Sequence, residues 1–194
     1  MAECLTWFPV SIYQQENLLN KEQNFNLKTH SLDMRSKVKS GGSEWLGNTY
    51  TTLNTFDLKT DIKFKFLIDL MHNHVKQYAK LHGAEDSNYE ATGAWLNIND
   101  KGTFQEFHTH NDAIFSCVYW VAAPEGSGDL IFEDPKEPDM LRIKNITNLN
   151  PLSFTRINYK AQEGALLIFR SYLRHMVEPC NNSQPRISVA VNFK

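Results

Sequence analysis

His108-Thr109-His110 sets two imidazoles two residues apart, and His175 follows 65 residues further on. In an extended segment, residues i and i+2 point to the same side, so both imidazoles of the pair can face one point. Asp112 continues the same parity and adds a carboxylate. Imidazoles converging from two strands, with or without one carboxylate, make a borderline-hard site suited to Fe(II), with Mn, Co, Ni or Zn able to substitute. Three protein ligands on one face leave positions open for a co-substrate and for O2. Taken alone, the pattern equally fits histidines that cap loops and bond backbone carbonyls. Arg186 shifts that balance, because it opens the otherwise apolar run Arg186 to Phe193, with Ser188 two positions on and facing the same way. A guanidinium beside a hydroxyl is a fork for a carboxylate. An arginine in such a strand needs a partner, since a buried unpaired charge is costly. The partner is either a bound carboxylate or an Asp or Glu of the chain itself.

These residues need a scaffold, and the composition supplies one. The 194 residues are 41% hydrophobic, 12% aromatic and 22% charged, enough to bury a core and to exclude disorder. A net charge of -2 implies no basic face and argues against binding of nucleic acid or anionic membrane driven by charge. The longest near-apolar stretch, Ala113 to Ala123, is too short to span a bilayer. Cys4, Cys117 and Cys180 are odd in number and lack CxxC spacing, against a disulfide scaffold or a thiolate zinc site. The opening Met-Ala-Glu-Cys has no cationic segment or apolar signal core, so a cytoplasmic protein is expected.

Residues 1–60 read as an N-terminal strand plus loops, with a polar, glycine-containing stretch around Lys39 to Ser43. Ile62, Phe66, Leu70, Met71, Val75 and Tyr78 recur at helical spacing and predict one helix over 61–81, with Thr60 as N-cap and Gly83 as stop. His72, His74 and His82 lie within or just past that helix, at least two of them on its solvent face, and His30 lies in a loop without a role. The period then changes. Trp95 to Asn99, Thr103 to Phe107, Ile114 to Ala122, Leu130 to Phe132, Ala165 to Phe169 and Arg186 to Phe193 read as short strands. Turns fall at Asn99 to Gly102 and Pro124 to Gly128, and Asp134 to Gln162 is a polar excursion with one or two weak strands. Together these predict an all-β core, an antiparallel sandwich or barrel with a packed helix, in one domain over 1–194. N-terminal loops and helix fill 1–88, and the β core fills 89–194.

The chain resembles the 2-oxoglutarate- and Fe(II)-dependent oxygenases, and among them the small ones of bacteria and marine phages with an H-x-H segment and prolyl-hydroxylase-like fold logic. The residues that carry the resemblance are FHTHNDAIFSCVYWVAAPEGSGDLIFEDP, then EGALLIFRSYLRHMVEP, then RISVAVNF, with the opening WFPVSIYQQENL and the following helix also similar. The resemblance implies a double-stranded β-helix, or jelly roll, of cupin-like kind. It implies His175 as the distal metal ligand and Arg186, assisted by Ser188, as the clamp on the far carboxylate of 2-oxoglutarate. By the same resemblance Asn97, Ser116 and Trp120 contact the co-substrate, although many relatives have Tyr at the Trp120 position. Cys117 stands where close relatives have Gly and is read as packing.

For the near half of the metal site two sets stay open, His108 with His110 or His110 with Asp112. The short link from Asp112 to Ser116 favours the first. The implied activity is hydroxylation with consumption of O2 and release of succinate and CO2. A non-catalytic jelly-roll binding module and a cupin-type metalloenzyme without 2-oxoglutarate are the rivals. The substrate, a small molecule or a peptide, is not specified; Asp134 to Gln162 and the N-terminal loops are where its recognition is expected, and a homodimer is the expected assembly.

Overall fold

A computed structural model describes residues 2–42, 45–84, 88–136 and 143–194. Ser43 of the glycine-containing stretch and positions 137–142 of the polar excursion lie outside the described residues. Chain order is β1 (Ile12–Gln15), α1 (Lys21–Lys37), β2 (Tyr50–Thr51), α2 (Ile62–Leu81), β3 (Ala91–Asn99), β4 (Gln105–His108), β5 (Phe115–Ala122), β6 (Leu130–Glu133), β7 (Arg156–Tyr159), β8 (Leu166–Arg170), β9 (His175–Val177) and β10 (Arg186–Phe193). A single 3-10 turn, Leu58–Thr60, precedes α2.

The strands form a six-stranded sheet in the order β1-β8-β5-β10-β3-β2 and a four-stranded sheet in the order β4-β9-β6-β7. Pairing is antiparallel throughout both sheets. This is the expected double-stranded β-helix. Strand parity decides what each face does. On β3, β5, β8 and β10, one row (Leu96 and Ile98; Tyr119 and Val121; Leu166 and Ile168; Val189 and Val191) packs with Leu27, Phe64, Leu67 and Met71 of the two helices. The opposite row turns toward the smaller sheet, where Trp120, Leu167 and Phe169 pack with Leu130, Phe132 and Val177. Each fully buried aliphatic or aromatic side chain of these rows stabilises the fold by about 1.5–3 kcal/mol. Between the sheets, at one end of that second cluster, the packing opens into a cavity.

The helices differ from expectation in two ways. α2 begins one residue later than Thr60 would set it: Asp61 is the N-cap, its Oδ1 accepting from Lys63 N–H at 2.8 Å. Its buried stripe runs through Phe64, Leu67, Ile68, Met71, Val75 and Tyr78, while Ile62 is 80% exposed. Gly83, at φ +81°, ends the helix in the left-handed region that glycine tolerates. α1 falls inside the stretch read as loops. Its buried positions are Asn24, Leu27, Ser31 and Met34, so half of the core-facing stripe is polar and the apolar periodicity is weak. The polar members are satisfied in place, Asn24 Nδ2 donating to Val121 O at 2.7 Å and Ser31 Oγ to Leu27 O at 2.8 Å.

The remaining histidines follow the helices. His30 lies on α1 and its Nε2 pairs with Asp61 Oδ2 at 2.7 Å. His74 Nδ1 meets Tyr13 Oη at 2.8 Å, and His72 stacks on Phe193 with ring centroids 5.6 Å apart. Both are half-buried, because this helix also packs against the N-terminal strand, and only His82, the C-cap of α2, is exposed. Among the described residues no helix is long and apolar enough to cross a membrane.

Candidate active site

The cavity has a volume of about 260 Å³ and draws its walls from both sheets. β4 and β9 are antiparallel neighbours with His108 directly opposite His175, next to a bulge between Gln105 and His108. Bulges re-aim side chains beside sites of function. His110 follows in the loop, where its N–H donates to Ser171 O at 3.1 Å, tying that loop to the end of β8. The three imidazoles converge, with centroid separations of 4.3 Å (His108–His175), 4.9 Å (His110–His175) and 5.2 Å (His108–His110). One nitrogen from each lies within 4.8 Å of the others, the only such metal-competent cluster among the described residues.

Hydrogen bonding sets the tautomer of each ring. His108 Nδ1 is 2.6 Å from Glu106 O and His175 Nδ1 is 2.9 Å from Leu173 O. Carbonyl oxygens only accept, so both Nδ1 atoms carry the proton and both Nε2 atoms keep a lone pair. His110 Nδ1 likewise donates to Asn192 Oδ1 at 2.7 Å, with Ser116 Oγ also 2.8 Å away. Burial lowers the pKa of all three, and the neighbouring imidazoles lower those of His110 and His175 further, His110 reaching about 4. Three neutral imidazoles with free Nε2 lone pairs are the protonation state a divalent cation requires. The donor set fits a borderline metal such as Fe(II).

Arg186 forms the other end of the cavity. It is fully buried, and Nη1 donates to Asn99 Oδ1 at 3.2 Å and Ser188 Oγ at 3.3 Å. Nε and Nη2 are buried without a partner among the described residues. Burial pulls its pKa down to about 10, against the opposing pull of Cys180 and Asp129, so the guanidinium stays charged at neutral pH. A buried charge with two idle donors is expensive unless a carboxylate completes it. The expected alternative, an ion pair with an Asp or Glu of the chain, does not form among the described residues. Asn97 lines the same wall, opposite Ser188 in the β3–β10 register, and its Oδ1 is also buried without a partner.

Three sequence candidates lie elsewhere. Asp112 is exposed at φ +61°, in the turn before β5, and takes no part in the histidine cluster. Ser116 is fully buried but outside the cavity wall, bonded to His110, Asn192 and Ser171. Trp120 is not among the residues that line the cavity; its ring centroid is 5.9 Å from the Arg186 guanidinium carbon, and its indole N–H has no partner among the described residues. Sequence reasoning missed Asn99, which accepts from Arg186 Nη1, and it missed Asn192, Gln105 and the indoles of Trp45 and Trp95, which line the cavity, the two indoles packing against His108 and His110. Strand parity would have found Asn99 and Asn192, which continue the inward rows of Asn97 and of Arg186 and Ser188.

Comparison with known proteins agrees with this geometry. A family model described as "Putative 2OG-Fe(II) oxygenase" matches residues 93–192, from β3 to β10 and more than half of the chain. No curated protein matches the sequence. Among solved structures the chain is similar to a prolyl-4-hydroxylase of Pseudomonas putida, with TM-score 0.65 and 15% identity over 95% of this chain and 93% of that one. It is similar to the viral collagen prolyl hydroxylase of Paramecium Bursaria Chlorella virus-1, solved with 2OG, with TM-score 0.61 and 13% identity over 94% of both chains. HygX of Streptomyces hygroscopicus, solved with nickel, 2-oxoglutarate and hygromycin B, gives TM-score 0.65 and 9% identity over 95% of this chain and 83% of that one. At such identities the likeness is one of fold; the family match, which spans the three histidines and Arg186, carries the assignment. The chain belongs to the 2OG-Fe(II) oxygenase family and is an oxygenase that uses Fe(II) and 2-oxoglutarate.

Proposed function

We propose that His108, His110 and His175 hold Fe(II) through Nε2, and that Arg186 and Ser188, beside Asn97, receive the far carboxylate of 2-oxoglutarate. The observation that carries this reading is a buried guanidinium with two idle donors in the same cavity as three neutral imidazoles. Iron and 2-oxoglutarate, when bound, supply O2-dependent oxidation of a C–H bond with release of succinate and CO2. The chain's own residues bind, orient and exclude water. Arg186 neutralises the carboxylate and aims it with a fork of N–H donors, and the Ser188 hydroxyl adds a third. Phe169, Leu130 and Val177 line the cavity with apolar surface, which strengthens every charge interaction inside it. Thr109 and Asn111, both exposed, mark its open side, where the substrate enters.

The reaction proposed is hydroxylation of a small molecule or peptide, with Asp112 outside the metal's ligands. The 194 residues act as one domain in a reducing, cytoplasmic setting, a reading supported by three free cysteines and the need to keep iron ferrous. The test is anaerobic addition of Fe(II) and then 2-oxoglutarate, followed by exposure to O2. A visible charge-transfer band and succinate release are expected. Absence of both overturns the reading in favour of a non-catalytic module. Arg186→Leu should lose 2-oxoglutarate affinity and keep metal binding; unchanged affinity would point to a cupin-type enzyme that uses no 2-oxoglutarate.

A further inference from the structure

The three imidazoles are oriented in two different ways. His108 and His175 each donate Nδ1–H to the backbone carbonyl two residues earlier, Glu106 O and Leu173 O. Those acceptors belong to the main chain and come with the local strand geometry, whatever side chains surround them. His110 lies in a loop and has no such carbonyl. Its Nδ1 faces a side-chain oxygen 82 residues away in sequence, Asn192 Oδ1 at 2.7 Å, and the hydroxyl of Ser116 at 2.8 Å.

These two partners are not equivalent. A hydroxyl donates or accepts, so Ser116 is compatible with either tautomer of His110. An amide oxygen only accepts, so Asn192, with Oδ1 turned to the ring, pairs with the tautomer that carries the proton on Nδ1. Ser116 is itself held: its Oγ donates to Asn192 Oδ1 at 2.9 Å and lies 2.8 Å from Ser171 Oγ. Asn192 therefore sets the sense of the whole cluster. β10 presents Arg186, Ser188, Ala190 and Asn192 along one face, and its register slips just after Asn192. The six steps from Arg186 to Asn192 span about 20 Å of strand, so one element reaches both ends of the cavity.

We infer that Asn192 is the positioning residue of the metal centre: it holds His110 as the Nδ1–H tautomer and so keeps Nε2 available as a ligand. This rests on the metal reading proposed above. Without Asn192, the Ser116 hydroxyl is free to donate to Nδ1. The proton then moves to Nε2 and the ligand atom is lost, while the fold and the other two histidines are untouched.

The tautomer is read directly by long-range nitrogen–proton NMR of the imidazoles in the metal-free protein. Co(II) affinity, followed by its visible absorption, provides a second readout. Wild type should show His110 as Nδ1–H. Asn192→Leu should shift it toward Nε2–H and weaken Co(II) binding by about tenfold or more, the size expected when a ligand's outer partner is removed. Asn192→Asp, which keeps an oxygen acceptor, should retain both the tautomer and the affinity, a rescue that a merely structural role would not produce. Wild-type His110 found as Nε2–H overturns the inference without any variant, as does an Asn192→Leu protein that binds Co(II) as wild type does. If Asn192→Leu does not fold, Asn192→Val serves in its place. Wild type that binds no Co(II) at all removes the metal reading itself, and the inference with it.

Discussion

On β10, Ile187, Val189, Val191 and Phe193 are fully buried against the helical layer and present no polar atom that needs a partner. On the reverse face, Arg186, Ser188 and Asn192 border a cavity, and Arg186 alone leaves two donors idle. Both faces are packed into the interior, yet one is complete as folded and the other is completed only by a ligand. The helix-facing row secures the fold through area removed from water. The cavity-facing row lowers stability by holding a desolvated charge, and that cost is what makes it selective for a carboxylate.

The contrast is testable by substituting one row at a time. The largest effect is expected from Phe193→Ala, which empties a fully buried aromatic site: a loss of about 3–5 kcal/mol in chemical denaturation. If that variant also lost 2-oxoglutarate affinity while folded, the two faces would not be separable. Arg186→Leu should act in the opposite sense, raising ligand-free stability by about 1 kcal/mol. The same variant should weaken 2-oxoglutarate binding about a hundredfold, roughly 3 kcal/mol by calorimetry. Destabilisation of the ligand-free protein would show that Arg186 Nε and Nη2 have a partner in the fold after all. Ser188→Ala removes one hydroxyl from the fork and should cost about 1 kcal/mol of 2-oxoglutarate binding, with the melting temperature unchanged. Smallest of all, Asp112→Asn, which keeps a residue tolerant of φ +61°, should leave metal affinity within about twofold. A tenfold loss would return a carboxylate to the ligand set.

Much of the strand layer was readable because its information is local. Alternation and short β-branched runs placed β3, β5, β6, β8 and β10 within a few residues, and Arg186 was conspicuous as a charge in an apolar run. β9 was not readable: three residues, His175–Val177, are too few to show a period. α1 was missed because Asn24 and Ser31 occupy half of its buried stripe, and only their long-range partners make that stripe a core face.

Residue type and strand parity nominated the histidine pair, the remote His175 and the Arg-x-Ser of the last strand from sequence alone, and the resemblance implied their chemistry. Sequence spacing left His108 and Asp112 as rivals, because both share parity with His110. In the tertiary structure the register of β4 against β9 sets His108 opposite His175, while Asp112 is exposed in the turn before β5, which is the geometry behind the proposed ligand set. Ser116 and Trp120 likewise share the inward parity of β5, but neither lines the cavity: one bonds His110 and the other packs near the Arg186 guanidinium. Parity tells which side of a sheet a residue faces. Where along that side the cavity opens depends on which strands are neighbours and in what register, and that is settled only when the whole chain has packed.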